Sequence, residues 1–437
     1  MLRIPAERAL LALVLTVYGT LGALFAWRTP PWQAPDEPAH YYYIQQVSQG
    51  TLIPVIQMGD WDQAYLDALK ASGFKDEALL ERLATVRYEN HQPPLYYWLM
   101  TPLYSLSGGS LLALRLGSVA LGALVIVAAW AAARLAIPSQ PTLAPLTAAL
   151  VAVVPQHVAI LASVNNDALA LALVGGLLAL SLGRVRGLSI PAWWLGLLMG
   201  LALISKTTTY FMGGVATLAL LLTPNQTTRH KLRSLLIFGA LCAPFALLWW
   251  GRNVVTYGWP DFLGLGAHDA VVVGQLRTAE LLAQVGGSAY LQAFVQTTFE
   301  SFWGQFGWMA VPMRGLFSPG DALPYQAILA LIGLGLVGAL WTARAAQHEA
   351  GVWRVQVLML TNVALTLAMY LYYNSTFVQF QGRYLFPALI PLMLGLAYGL
   401  LGLGRALRWP HAAWAAPMSL AILSAYLAWR VLPGALG

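Results

Sequence analysis

Apolar residues run along this chain in blocks of about 20, the length a helix needs to cross a bilayer. Pro, Gly and charged residues separate the blocks. They predict eleven spans, at roughly 8–27, 111–134, 143–162, 167–183, 191–205, 207–223, 233–251, 323–342, 354–373, 384–403 and 411–431. Lys206 alone divides the fifth from the sixth, so one long tilted span there is the alternative. The strict alternation of an outer-membrane barrel is not seen. Two long segments, 28–110 and 252–322, interrupt the pattern. Within the first, 38–49 and 61–86 have helical periodicity, with Tyr65, Leu69, Leu79, Leu80, Leu83 and Val86 on one apolar face. Tyr96–Leu106 is apolar but short, which predicts a helix lying along the interface.

Charge placement orients the spans. With a cytoplasmic N-terminus and eleven spans, one set of short connections carries Arg3, Arg8, Arg134, Arg184, Arg186, Arg229, Lys231, Arg233, Arg344, Arg354, Arg405 and Arg408, half of the 24 basic residues. The same side carries only Glu7 and Glu349 of 17 acids. Basic loops stay in the cytoplasm, whereas merging the fifth and sixth spans would scatter them over both faces. Both long segments are therefore external.

Composition agrees. The chain is 59% hydrophobic and 9% charged, with mean hydropathy +0.64, against roughly 25% charged in soluble domains. The class expected is an all-α polytopic membrane protein forming a single domain over 1–437. The net charge of +7 says less than its placement. The lone Cys242 excludes a disulfide framework and a cysteine metal site. Arg3, Arg8 and apolar 9–27 have the outline of a signal peptide, but the stretch is long and lacks a small-x-small cleavage site, so a retained span is expected.

The polar oddities of the sequence fall on the outer face. Asp36, Glu37 and His40 follow span one, and His91 precedes Pro93–Pro94. Asn165, Asn166 and Asp167 lie between spans three and four, and Lys206 between five and six. Arg252 and Asn253 follow span seven, and Gln379, Gln381, Arg383 and Tyr384 precede span ten. A cavity lined by carboxylates, histidine and cations suits an anionic, hydroxyl-rich substrate.

Each group also has an ordinary structural explanation. Asp36 can cap a helix that begins at Pro38, with Glu37 complementing the dipole. Asp36 and His40 are four apart and can pair locally. His91 can be a loop histidine, Asn165–Asp167 can cap span four, and Lys206 and Arg383 can snorkel to headgroups. Tyr41–Tyr43 fit interfacial anchors. His268, Asp269 and Glu300 fit no ligand spacing, and a solvated face is the default. Asn374-Ser375-Thr376 is a glycosylation sequon, a weak signal alone.

Taken together, these segments resemble the GT-C glycosyltransferases, the integral-membrane enzymes that include protein mannosyltransferases and lipid A aminoarabinose transferases. Asp36–Glu37 stands where that superfamily has an acidic motif, and His91-Gln92-Pro93-Pro94-Leu95-Tyr96-Tyr97 resembles its H-x-P-P-L-x-Y segment. Arg115 and Asn166–Asp167 match its arginine and second acid; PDEPAH (35–40) and QGRYLFPALIP (381–391) are similar to a bacterial branch. The match is good over about 30–210 and thinner beyond. The resemblance implies transfer of a sugar from a polyprenyl-phosphate donor to a glycan, lipid or protein hydroxyl at the external face of a bacterial inner membrane. Asp36 is then the general base, and Glu37 a catalytic neighbour orienting a sugar or sharing a metal. Lys206, Arg383 and His91 hold the donor phosphate. His40, Asn166, Asp167 and Tyr384 contact substrate.

No dinucleotide fingerprint or phosphate loop is present, so no nucleotide cofactor is expected, and no nucleic-acid partner. Participation of a divalent metal stays open. A flippase or secondary transporter is the rival class, with Lys206 between two short spans in its favour. A non-catalytic scaffold would leave Asp36 free to vary.

Overall fold

A computed structural model describes residues 4–346 and 351–437; Arg3 and Glu349 lie outside the described residues. The described residues are mostly helical, with one small two-stranded antiparallel pairing of Gln305–Phe306 on Val311–Pro312 among them. Among the described residues eight helices are long and apolar enough to cross a membrane: Ala6–Arg28, Leu111–Ala136, Asp167–Val185, Thr228–Tyr257, Leu323–Thr342, Val352–Asn374, Gly382–Ala406 and Pro410–Leu436. A ninth candidate, Leu143–Val153 with Pro155–Leu161, bends by 70° where Pro155 cannot continue the hydrogen-bond ladder. Ala192–Leu203 and Thr207–Leu222 occupy the fifth and sixth predicted spans but are shorter. The all-α polytopic class holds. The count of eleven is not established, because three of the predicted spans are bent or short.

The helix Asp167–Val185 is the hub, with 89% of its apolar window buried, and Gly382–Ala406 follows at 72%. Thr228–Tyr257 buries only 17% and turns Leu232, Leu236, Leu247 and Leu248 outward, as a lipid-facing helix does. The helices Leu323–Ala346 and Leu389–Ala406 touch backbone to backbone: an added Cβ on Gly399 would overlap the Gly335 carbonyl, and one on Gly338 the Gly399 carbonyl. Small residues permit this approach in membranes.

Basic connections gather at one end. Glu7 pairs with Arg134 at 3.4 Å, Arg405 donates to Gln140, Arg184 to Gln226, and Arg186 to the Leu135 carbonyl. The opposite end carries the long loops. Glu37–Ser48 and Leu95–Leu106 form the two helices that the periodicity over 38–49 and the apolar run Tyr96–Leu106 predict. The helix predicted over 61–86 is broken into Gln63–Ala71, Glu77–Leu80 and a turn at Leu83–Thr85, because Gly73 and Phe74 adopt positive φ. Tyr43 is not an interfacial anchor: it is fully buried, stacked on Tyr97 with centroids 3.5 Å apart. The second long segment folds into Leu265–Val271, Thr278–Val285 and Gly287–Trp303. The two long segments share a satellite core of Tyr65, Leu66, Leu69, Phe74, Val271 and Val272.

Candidate active site

The helix Glu37–Ser48 sets the site because its first two acids point opposite ways. Asp36 occupies the N-cap position at φ 65°, a left-handed conformation that an L-residue adopts with strain, and its side chain makes no capping bond. It receives Arg383 Nη2 at 2.5 Å and the Tyr88 hydroxyl at 2.8 Å. Capping, the ordinary reading of Asp36, therefore fails.

Glu37 turns inward and is fully buried. Its oxygens accept Arg115 Nε at 2.8 Å and Nη2 at 2.6 Å, with the Trp32 and Val164 amides at 3.2 Å. Arg115 completes its five donors on the carbonyls of Ala26, Thr29 and Pro30. Every acceptor and donor in this pair is used, and Glu37 does not line the cavity described next. Its geometry is that of a strut tying the first helix, the loop and Leu111–Ala136 together.

Asp36, Tyr88, Glu89, His268, Arg383 and Tyr384 line one cavity that opens to solvent. Its walls include Trp61 and Trp308, and its rim Gln275, Gln379 and Gln381. Gly382 places Arg383: it packs against Gly287–Trp303 so closely that a Cβ would overlap the Thr298 carbonyl, while its amide donates to Ser301 Oγ at 2.7 Å. Arg383 is buried, yet its Nε and Nη1 have no partner. An anion entering the cavity would satisfy them.

Lys206 is paired with Asp167 at 2.7 Å, both groups mostly buried. Asn165 Oδ1 accepts the Asp167 amide at 2.9 Å, the local cap expected of this turn. Asn166 donates to Gln92 and its own Oδ1 is unpartnered. His40 is buried and its Nδ1 meets the Tyr97 hydroxyl at 2.9 Å. His91 Nδ1 faces the Tyr88 carbonyl at 2.9 Å and so carries the proton there. Its Nε2 then accepts from Gln92 and has no hydrogen to offer a phosphate. Thus Asp36, Arg383 and Tyr384 line the cavity, whereas Glu37, His40, His91, Asn166, Asp167 and Lys206 stand behind it.

The charge states follow from burial and neighbours. Burial alone would raise the Asp36 carboxyl, but Arg383 and then His40 outweigh it and hold it at about 2. Burial lowers His40 to about 3 and His268 to about 4, leaving both neutral. Glu89 moves the other way: burial and the Asp36 charge push it up to about 8.

Several of these residues carry no sequence signal. Glu89 and Tyr88 lie just before the His91 motif, but no spacing marks them. His268 was expected on a solvated face and instead lines the cavity, its ring 4.2 Å from that of His91. Asp269 pairs with Arg277, and the buried Glu300 with Arg314. The sequon Asn374 is buried, hydrogen-bonded to Tyr370 and Gln379. Among the described residues no group of three or more His, Cys, Asp or Glu could hold a metal ion.

The fold is that of the GT-C glycosyltransferases, as the sequence motifs implied. Residues 91–250 match the family model of dolichyl-phosphate-mannose-protein mannosyltransferases. Similar solved structures include ArnT from Cupriavidus metallidurans bound to undecaprenyl phosphate, 14% identical, covering 95% of this chain and 63% of that one at TM-score 0.53. The oligosaccharyltransferase AglB from Archaeoglobus fulgidus, in complex with an inhibitory peptide and a dolichol-phosphate, is 14% identical over 98% of this chain and 56% of that one, also at 0.53. The S. cerevisiae protein O-mannosyltransferase Pmt1-Pmt2 complex bound to the sugar donor is 17% identical over 60% and 35%, at 0.40. The chain thus spans less than two thirds of the length of these proteins. A search of curated proteins finds no match.

Proposed function

We propose that this protein transfers a sugar from a polyprenyl-phosphate-linked donor to an acceptor hydroxyl at the external face of a bacterial inner membrane, in assembly of an envelope glycan or glycolipid. The observation that carries the reading is Arg383: buried on the cavity wall, it holds Asp36 with one nitrogen and leaves two others without partners. An aimed carboxylate and a half-satisfied guanidinium in one cavity are what glycosyl transfer to a hydroxyl requires.

In this scheme the donor phosphate binds the free edge of Arg383 while Trp61 and Trp308 wall the sugar. As the guanidinium is shared with the phosphate, its hold on Asp36 weakens and the carboxylate becomes a stronger base. Asp36 then accepts the acceptor hydroxyl proton as that oxygen attacks the anomeric carbon. The bond to phosphate breaks on the opposite side, its electron pair stays on the phosphate oxygen, and the anomeric centre inverts. Lys206 supports the phosphate once Asp167 releases it, and Glu37 acts through its strut with Arg115. These steps use protein groups only.

The test is release of polyprenyl phosphate from a panel of radiolabelled polyprenyl-phosphate sugars. Asp36→Asn should lower turnover roughly 10²–10⁴-fold. Asn tolerates the left-handed backbone at this position, so the loss reports the lost base. Full turnover in the variant removes Asp36 as base. A protein that moves lipid-linked sugar across vesicles without releasing the carrier would be a flippase.

A further inference from the structure

Glu89 takes no part in the scheme above. It sits on the turn Tyr88–His91, next to the tyrosine that donates to Asp36. Its side chain is nine-tenths buried and lines the same cavity as Asp36 and Arg383. Within this cavity its Oε2 has no hydrogen-bond partner. An ionised carboxylate with a bare oxygen in such a place is costly. A neutral acid holding its O–H ready for a ligand oxygen is much less so.

The surroundings say which oxygen. Asp36 from the first loop, Lys206 from the 203–207 connection and Arg383 from the 382–388 turn all act on Glu89. It therefore stands in the field of both cations assigned to the donor phosphate, beside the base. Four phenols also act on it, Tyr88 and Tyr97 from its own stretch, Tyr373 from Val352–Asn374 and Tyr384 from the 382–388 turn, and Lys70 from Gln63–Ala71 lines the same cavity. His268, across the cavity, is neutral.

We infer that Glu89 binds the polyprenyl phosphate as an uncharged carboxylic acid, donating its Oε2 hydrogen to a phosphate oxygen opposite Arg383. This rests on the donor assignment above. The phosphate is then held by a cation on one side and a neutral donor on the other. No proton is transferred: a phosphate monoester is the weaker base, its second pKa lying near 6. A neutral donor also limits the positive charge facing the phosphate after transfer, which helps the carrier leave. Burial and Asp36 hold the group protonated up to about pH 8, so the donor is present at neutral pH and lost above that value.

Affinity for undecaprenyl phosphate in detergent micelles, measured from pH 6.5 to 9.5, tests this without any need for turnover. The wild type should bind roughly tenfold or more weaker at pH 9.5 than at 7. Glu89→Gln keeps an N–H donor that cannot ionise, so it should bind well and stay flat across the range. Glu89→Ala should be weak throughout. Wild type and Glu89→Gln sharing one pH profile would overturn the inference, even if Glu89→Ala fails to fold. Absence of any binding to the wild type overturns both this inference and the donor assignment. The expected binding pattern without sugar transfer leaves Glu89 assigned and removes the transferase reading alone.

Discussion

Two adjacent acids, Asp36 and Glu37, look equivalent in sequence and differ in every physical respect once folded. Asp36 faces a solvent-open cavity and accepts from Arg383 and Tyr88; Glu37 is sealed against Arg115 with both oxygens fully used. Removing one member of a sealed ion pair leaves the other charge buried and unpaired, which costs about 3–5 kcal/mol. Arg115→Ala should therefore lower the thermal unfolding midpoint in detergent and the folded yield, and by more than Asp36→Asn, whose partner Arg383 lines the solvent-open cavity. If Arg115→Ala keeps a wild-type midpoint and loses only turnover, the pair belongs to the chemistry rather than to the framework.

At the scale of elements, the site depends on one close contact. Gly382 carries Arg383 into the cavity by resting on Gly287–Trp303 with no room for a Cβ. Gly382→Ala must push the 382–388 turn outward and take Arg383 away from Asp36. Turnover should fall at least tenfold through the lost positioning, read as weaker donor binding with the fold retained by circular dichroism. Wild-type donor affinity in that variant would show that the turn is not what aims Arg383. Such contacts explain what sequence reading reaches. Spans are legible because apolar period and length are local properties. The break at Pro155 is also local, though its 70° angle is not. The broken loop helix was misread because Gly73 and Phe74 reverse the chain where the apolar period continues. Asp36 and Arg383 were each picked out by motif, but 347 positions separate them, and no spacing rule joins them. Glu89 was invisible because its state comes entirely from what packs around it.

Across the whole molecule, polarity is divided end from end. Glu7 with Arg134, and Arg405 with Gln140, mark one end. The cavity, the helices Glu37–Ser48 and Leu95–Leu106 and a contact of Lys75 Nζ with the Gly437 carbonyl at 2.6 Å mark the other. The charged groups of the site thus gather away from the basic connections, whereas transporter sites are expected at the midplane. A basic end held in the cytoplasm would turn the cavity outward, where a lipid-linked sugar and an envelope acceptor meet. That orientation is checked by single cysteines placed on a Cys242→Ala background. Glu81 is exposed on the first long segment and Arg229 is exposed at the basic end. A membrane-impermeant maleimide applied to intact spheroplasts should label Glu81→Cys and spare Arg229→Cys until the membrane is opened. The reverse pattern would turn the molecule over and place the cavity in the cytoplasm, where soluble nucleotide sugars, rather than lipid-linked ones, would have to be reconsidered as donors. Labelling of both positions from outside would instead mean that the two ends do not lie on opposite sides of the membrane. The short helices Ala192–Leu203 and Thr207–Leu222 would then be the first place to look, since they are the segments whose length leaves a full crossing open.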